Sequence, residues 1–163
     1  MLVKQIIIHH TVSSRDKTTI ADIDAWHKLR WPDFKSSLGF WIGYHYVIAG
    51  DGKITQTRLE MEKGAHAPPN ESRLGIALTG NFDVETPSLA QLTSLQGLLE
   101  KLKKEYQFTD KDIFGHNEKS ITECPGRNLI IWLDKFRQIS ALQQKIEAIK
   151  KLIAELLKVV LTK

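Results

Sequence analysis

The chain has 163 residues, enough for one domain with its own core, and 42% of them are hydrophobic, as in ordinary soluble globular proteins. The formal net charge of +4 favours contact with anionic polymers or surfaces without choosing among them. A single cysteine excludes an internal disulfide, and no apolar run reaches the ~18 residues that span a bilayer.

The apolar pattern predicts strands that alternate with helices. In chain order these are a buried strand over 3–8, a helix over 16–31, a hairpin over 44–49 and 53–57, a strand over 74–78, a helix over 88–106, a short buried element at 113–114 and a helix over 126–139. Such alternation indicates an α/β fold, with a central mixed β-sheet flanked by helices.

The last segment predicts an appended amphipathic helix. Apolar residues recur there at steps of three and four, the spacing of a coiled-coil seam. Three interpretations stay open: the helix packs on its own domain, it self-associates, or its basic residues bring it to a membrane surface. The seam consists of Ile139, Leu142, Ile146, Ile149, Ile153, Leu156 and Val160.

Two histidine segments and the lone cysteine form a candidate metal set. His9 and His10 directly follow the first predicted strand, while His116 lies eight residues before Cys124. Two imidazoles and one thiolate would hold a catalytic zinc and leave a position open for water. Neighbouring strand residues point to opposite faces, so at most one of the first two histidines readily joins the site.

Other catalytic patterns are weak or missing. The sequence contains neither a phosphate-binding glycine-rich loop with Lys-Ser/Thr nor a Gly-x-Ser-x-Gly elbow. A short basic cluster in the helix over 88–106 is most simply a solvated face, and we expect no nucleic-acid partner. The N-terminal apolar run is too short for a secretory signal, so we expect cytoplasmic synthesis.

Six motifs in order resemble the type 2 N-acetylmuramoyl-L-alanine amidases, a family that includes phage lysozyme-type amidases and peptidoglycan recognition proteins. The resemblance covers roughly residues 3 to 135. The motifs are Ile-Ile-His-His-Thr, Gly-Tyr-His-Tyr-Val-Ile with Gly-Asp-Gly, Gly-Ala-His-Ala, Gly-Ile-Ala-Leu-Thr-Gly-Asn-Phe, Gly-His-Asn-Glu and Thr-Glu-Cys-Pro-Gly.

The resemblance implies a zinc hydrolase that cuts the amide between N-acetylmuramic acid and the L-alanine of the stem peptide. Its motifs carry the zinc ligands over to His9, His116 and Cys124. Tyr44 matches a tyrosine that faces the metal, where a phenol can hydrogen-bond the developing negative charge.

The chain departs from the lysozyme-type pattern two residues before the cysteine. Those amidases carry a lysine there, whereas this chain has Thr122, as recognition-protein amidases more often do. Lys119 lies nearby in sequence, and whether it assists is left open. Glu118 is either an acceptor that orients a ligand histidine or a capping carboxylate.

The resemblance also places His66 and Asn81 in the substrate cleft. Trp41, in a loop, could stack on a sugar. Trp26 lies on the apolar face of its helix, which favours a core position.

The combined prediction is a zinc amidase domain over 1–138 and an amphipathic helix over 139–163. The expected activity is peptidoglycan cleavage by an endolysin-like, bacteriolytic enzyme of bacterial or prophage origin. It would be held in the cytoplasm and released to the cell wall at host lysis. A non-catalytic module that binds peptidoglycan is the alternative.

Overall fold

A five-stranded mixed sheet forms the centre of the fold in a computed structural model that describes residues 3–161. The strand order is β3-β2-β4-β1-β5. β1 runs parallel to β4 and β5, β2 runs parallel to β4, and β3 is antiparallel to β2. The predicted α/β fold is confirmed. The strands are β1 (Gln5–His10), β2 (Tyr46–Ile48), β3 (Ile54–Gln56), β4 (Arg73–Leu78) and β5 (Ile113–Gly115).

β1 lies inside the sheet between two parallel neighbours. Its Ile6, Ile7 and Ile8 are all fully buried, although their side chains point to alternate faces. A strand covered on both faces has an unbroken apolar run, which is the pattern seen in its sequence. The strand ends two residues later than predicted, so that both of its histidines belong to it.

Two helices have caps that explain where they begin. α1 (Ile20–Arg30) starts after Thr19, whose side chain forms a capping box with Asp22, four residues later than predicted. α2 (Leu89–Tyr106) starts after Ser88, which forms a capping box with Gln91. Its first residue is exposed, so the buried face of α2 consists of Gln91, Leu95, Leu98, Leu99 and Leu102.

The final helix, α3 (Arg127–Leu161), is continuous through 35 residues. It therefore crosses the boundary predicted between residues 138 and 139 without a break, and that division stays a prediction. The chain forms two compact units, one up to Ile130 and one from Ile131 onward. Among the helices described, none is both long and apolar enough to cross a membrane.

Candidate metal centre and cleft

Strand register brings the two distant histidines together. Ile8 of β1 pairs with Gly115 of β5, so His9, the next residue of β1, lies beside His116, which directly follows β5. His116 begins a 3₁₀ turn directly after β5. Carboxyl ends of parallel strands meet at one sheet edge, where α/β proteins form their binding sites. The ring centroids of His9 and His116 lie 4.5 Å apart.

Backbone hydrogen bonds return the following loop to the same edge. The N–H of Asn117 donates to the carbonyl of Cys124 at 2.7 Å. The N–H of His10 donates to the Cys124 sulfur at 3.4 Å, and this sulfur lies 3.6 Å from His9 Nδ1. The ligand atoms of His9, His116 and Cys124 all lie within 4.8 Å of one another.

This donor set fits zinc. Two imidazole nitrogens and one sulfur are ordinary zinc ligands, and three protein ligands leave the fourth position for water or substrate. With Zn–N of about 2.1 Å and Zn–S of about 2.3 Å, tetrahedral geometry places a nitrogen and a sulfur about 3.6 Å apart. His9 Nδ1 and Cys124 Sγ already have that separation. His10 lies apart from this set, since its Nδ1 accepts from the N–H of Phe82 at 3.2 Å.

A chain of hydrogen bonds determines which nitrogen of His9 faces the cluster. His66 Nε2 lies 3.2 Å from the Arg73 carbonyl, which can only accept, so Nε2 carries the proton. Neutral His66 then accepts at Nδ1 from His9 Nε2, 3.1 Å away. His9 is therefore left with a free lone pair on Nδ1, the nitrogen nearest the Cys124 sulfur.

Burial keeps these imidazoles neutral. Desolvation, reinforced by neighbouring histidines, holds the pKa of His9 well below its usual range. Desolvation is also the main cause that lowers the pKa of His66 to about 3 and shifts that of His116 downward. The same burial raises the pKa of the Cys124 thiol to about 12. Metal binding would therefore displace a proton from the sulfur, and none from the rings.

Tyr44 contacts this cluster from the segment before β2. Its ring centroid lies 5.1 Å from that of His9, and the ring packs against Ile23, Ile42 and Val47. Burial and the neighbouring Cys124 raise the pKa of the phenol. Tyr44 therefore stays protonated at neutral pH and can act as a hydrogen-bond donor.

The cluster lies in an open cleft of about 830 Å³. Trp26 contributes to the cleft wall and is 48% exposed, so the expectation of a core position was wrong. α1 has no continuous apolar face at that position, because only Ile23 among its residues is buried. Besides the predicted residues, the lining includes His10, His27, Arg30, Trp31 and Asn70.

Three of these lining residues were not predicted as site residues, because the end of α1 carries no distinctive catalytic motif. His27, Arg30 and Trp31 are spaced by three and four residues, so they share one face at the end of α1. With Trp26, this spacing is the signal that could have identified a cleft wall. His27 also supports the loop of Tyr44, since its Nδ1 accepts from the N–H of Gly43 at 2.9 Å.

The helper residues near the cysteine have distinct positions. Thr122 lines the cleft, and its hydroxyl accepts from the N–H of Cys124 at 3.2 Å. The ammonium of Lys119 lies over the Phe114 ring, 3.3 Å from its centroid, and Lys119 does not appear among the described cleft residues. Glu118 accepts from the N–H of Gly115 at 2.7 Å, a capping arrangement.

Two predicted substrate contacts lie elsewhere. The Asn81 amide oxygen accepts from the N–H of Asp83 at 3.2 Å, and Asn81 is outside the described cleft lining. Its role in binding stays a prediction. Trp41 is likewise outside that lining. The ammonium groups of Lys28 and Lys35 each lie 4.4 Å from its ring centroid.

Comparison with known proteins identifies the family. The family described as N-acetylmuramoyl-L-alanine amidase matches residues 1–127. The chain belongs to this family. It is 35% identical over 133 residues to peptidoglycan-recognition protein SC2 of Drosophila melanogaster, which covers 76% of this chain and 68% of that protein. The family thus confirms the resemblance seen in the motifs.

Solved structures give the same result. N-acetylmuramoyl-L-alanine amidase LysC from Clostridium intestinale URNW superposes with a TM-score of 0.67 at 38% identity, over 77% of this chain and 78% of that one. Peptidoglycan recognition protein-LE in complex with tracheal cytotoxin superposes with a TM-score of 0.64 at 26% identity, over 77% and 75%. Relatives of this family member therefore include both amidases and recognition proteins.

We expect His66 to position His9 for metal binding. Replacing His66 with alanine removes the acceptor for His9 Nε2 and should weaken zinc binding by about 10- to 100-fold. His66→Asn is the matched variant, because its amide oxygen can occupy the place of Nδ1, and it should retain most of the affinity. Competition with a chromophoric chelator measures both. Equal losses in the two variants would contradict the positioning role.

Buried neutral histidines should also make stability depend on pH. Burial and the Arg30 charge lower the pKa of His27 to about 4, from an ordinary value of 6.5. The unfolded chain therefore binds protons first as the pH falls, and stability that is complete above about pH 6.5 decreases towards about pH 4. His27→Asn keeps an acceptor for Gly43 but cannot titrate.

His27→Asn should therefore lose less stability than the wild type as the pH falls from about 6.5 to about 4. The difference should stay below the about 1.4 kcal/mol per pH unit of a fully buried histidine, because His27 lies at the cleft wall. Urea unfolding of both proteins, saturated with zinc so that the metal's own pH dependence cancels, measures the difference. Identical pH profiles would exclude the effect.

Proposed function

We propose that this protein is a zinc-dependent N-acetylmuramoyl-L-alanine amidase. It would hydrolyse the amide between N-acetylmuramic acid and the L-alanine of the peptidoglycan stem peptide. The observation that carries the proposal is the convergence of His9, His116 and Cys124 at an open cleft, with Tyr44 beside them. Membership of the amidase family supports the reaction class.

The three side chains would hold zinc, which when bound supplies a Lewis acid for the scissile carbonyl and lowers the pKa of water. Tyr44 is placed to donate its phenolic hydrogen to the carbonyl oxygen as negative charge develops there. His66 keeps His9 in the tautomer with a free Nδ1. Thr122 supports the Cys124 backbone from within the cleft, and we assign it an assisting role.

The cleft suits a substrate with sugar rings and amide groups. Its wall combines the indoles of Trp26 and Trp31 with polar groups such as Asn70, which gives faces for a sugar ring and partners for peptide groups. The muropeptide complex of recognition protein-LE supports peptidoglycan as the ligand of this chain. We propose that Asn81 contacts a part of the substrate that reaches beyond the cleft.

We assign the protein to the endolysin-like branch of the family and propose a bacterial or prophage origin. Likeness to the amidase LysC supports this assignment. In this proposal the amidase domain covers 1–138 and the amphipathic helix 139–163. The enzyme would act on the cell wall once it is released at host lysis.

Digestion of purified cell walls tests the reaction. The zinc-loaded protein should release L-alanine amino termini without new reducing sugar ends, because it cuts the amide and leaves the glycan intact. Exhaustive chelation should abolish this release, and added zinc should restore it. Added zinc should not restore the release in Cys124→Ala.

Activity that survives chelation, or that persists in Cys124→Ala, would contradict the metal mechanism. Muropeptide binding without turnover, in protein shown to carry zinc, would instead favour a recognition module. That alternative is supported by the identity with recognition protein SC2.

A tyrosine pair separates catalysis from folding. Tyr44→Phe removes the donor beside the metal and should lower kcat by about 100- to 1,000-fold, with a small effect on KM. Tyr46→Phe is the control, because Tyr46 donates to Glu60 and is not among the described cleft residues. It should keep kcat near the wild-type value. Equal kcat in Tyr44→Phe and wild type would exclude Tyr44 from catalysis.

A further inference from the structure

From Ile139 onward, α3 carries an exposed apolar seam. Every described residue of this seam is between 42% and 65% exposed, although isoleucine and leucine are ordinarily buried. The seam follows steps of three and four along the helix, which keeps it on one side. Its described members are Ile139, Leu142, Ile146, Ile149, Ile153 and Leu156.

The spacing and residue types of the seam indicate a coiled coil. In heptad terms, Ile139, Ile146 and Ile153 occupy the a positions, while Leu142, Ile149 and Leu156 occupy the d positions. These six positions hold only isoleucine and leucine, apolar residues of the kind that fill the a and d layers of a coiled coil. The seam spans about 26 Å of helix, long enough for six layers of side chains.

We propose that the seam binds the same seam of a second copy of this chain, with the two helices antiparallel. In this register each a residue meets a d residue. Ile139 packs against Leu156 of the second copy and Leu142 against Ile153. Ile146 packs against Ile149 at the centre. The arrangement buries all six described seam residues on both helices.

Charge decides between the two orientations. In a parallel pair, Lys145 at a g position would face Lys150 at the next e position of the second copy, on both sides of the seam. The antiparallel register removes both repulsive pairs. It places Lys150 next to Gln143 of the second copy and Lys145 next to Leu152. The exposed stem of Lys145 can then cover that leucine.

The polar face argues for a protein partner over a lipid surface. It carries both signs of charge, and Lys150 is already paired with Glu147 at 2.7 Å. Membrane-surface helices commonly combine a basic polar face with tryptophan or phenylalanine on the apolar face. Residues 139–161 contain no aromatic side chain. Leu152 and Leu157 flank the seam at g and e positions and add exposed apolar surface that a second helix can cover.

The molecular mass of the 163-residue chain in solution tests whether a second copy binds the seam. Light scattering and sedimentation should give a dimer for the wild type. Ile146→Lys with Ile149→Lys adds two charges to the central layer and should halve the mass. Ala141→Lys with Ala148→Lys adds the same two charges at exposed c positions and should leave the dimer intact.

Three outcomes would overturn the proposal: a monomeric wild type, a seam variant that stays dimeric, or a monomer that binds vesicles containing anionic lipid through the seam. Cell-wall hydrolysis by the monomeric seam variant should persist, because none of the substituted residues lies in the cleft. The proposal and the amidase reaction can therefore fail independently.

A single charge reversal tests the orientation. Lys145→Glu should leave the dimer Kd nearly unchanged in the antiparallel arrangement, since its neighbour is Leu152. In a parallel dimer the same change would turn two repulsive pairs into attractive ones and tighten the Kd by roughly tenfold. Such tightening would overturn the antiparallel register.

Discussion

The pairing of β1 with β5 is the constraint on which the site depends. Because Ile8 lies opposite Gly115, two histidines more than one hundred positions apart become neighbours at the end of the sheet. β4, on the other side of β1, supplies the carbonyl of Arg73 that determines the protonated nitrogen of His66 and, through it, that of His9. The sheet thus controls both where the imidazoles lie and which of their nitrogens is free.

Burial gives the same groups their chemical state. An imidazole that cannot be hydrated stays neutral, and a neutral imidazole is the form that binds a metal. The arrangement costs stability, because polar rings are desolvated and clustered. A bound ion would offset that cost, by about 4 kcal/mol at a free concentration 1,000-fold above its Kd. Without a bound ion, the end of the sheet that carries these histidines is therefore expected to be less stable than the apolar remainder of the sheet.

Much of this was predictable from the residues. Strand and helix types were correct because β1 is uniformly apolar and α2 has a regular buried face, and the motifs identified the family. Helix starts were less predictable. Either Thr18 or Thr19 could cap α1, and only the reciprocal bond with Asp22 selects Thr19. The single helix from Arg127 to Leu161 was predicted as two segments, since its apolar pattern changes along its length.

The cleft was harder to predict than the candidate metal ligands. Ligand residues have distinctive chemistry, whereas Trp26 looks like any apolar residue on a helix until its exposure is known. Lys119 has the positive charge expected of a helper residue and lies close to Cys124 in sequence. Its ammonium, however, lies over the aromatic face of Phe114. Thr122 therefore lies in the cleft with the candidate metal ligands, whereas Lys119 does not appear among the described cleft residues.

The single sulfhydryl of the chain, which is one of the candidate metal ligands, has a practical consequence. Cys124 is the chain's only cysteine, so any alkylating reagent that modifies a cysteine must do so at the cluster. A sulfur bound to an ion is shielded from such reagents, whereas the metal-free sulfur reacts through its thiolate, the fraction of which grows as the pH rises towards the raised pKa of about 12. The rate of alkylation would thus report metal occupancy directly, without a label. Oxidation of this one sulfur by peroxide would remove a ligand and so abolish metal binding by the whole set.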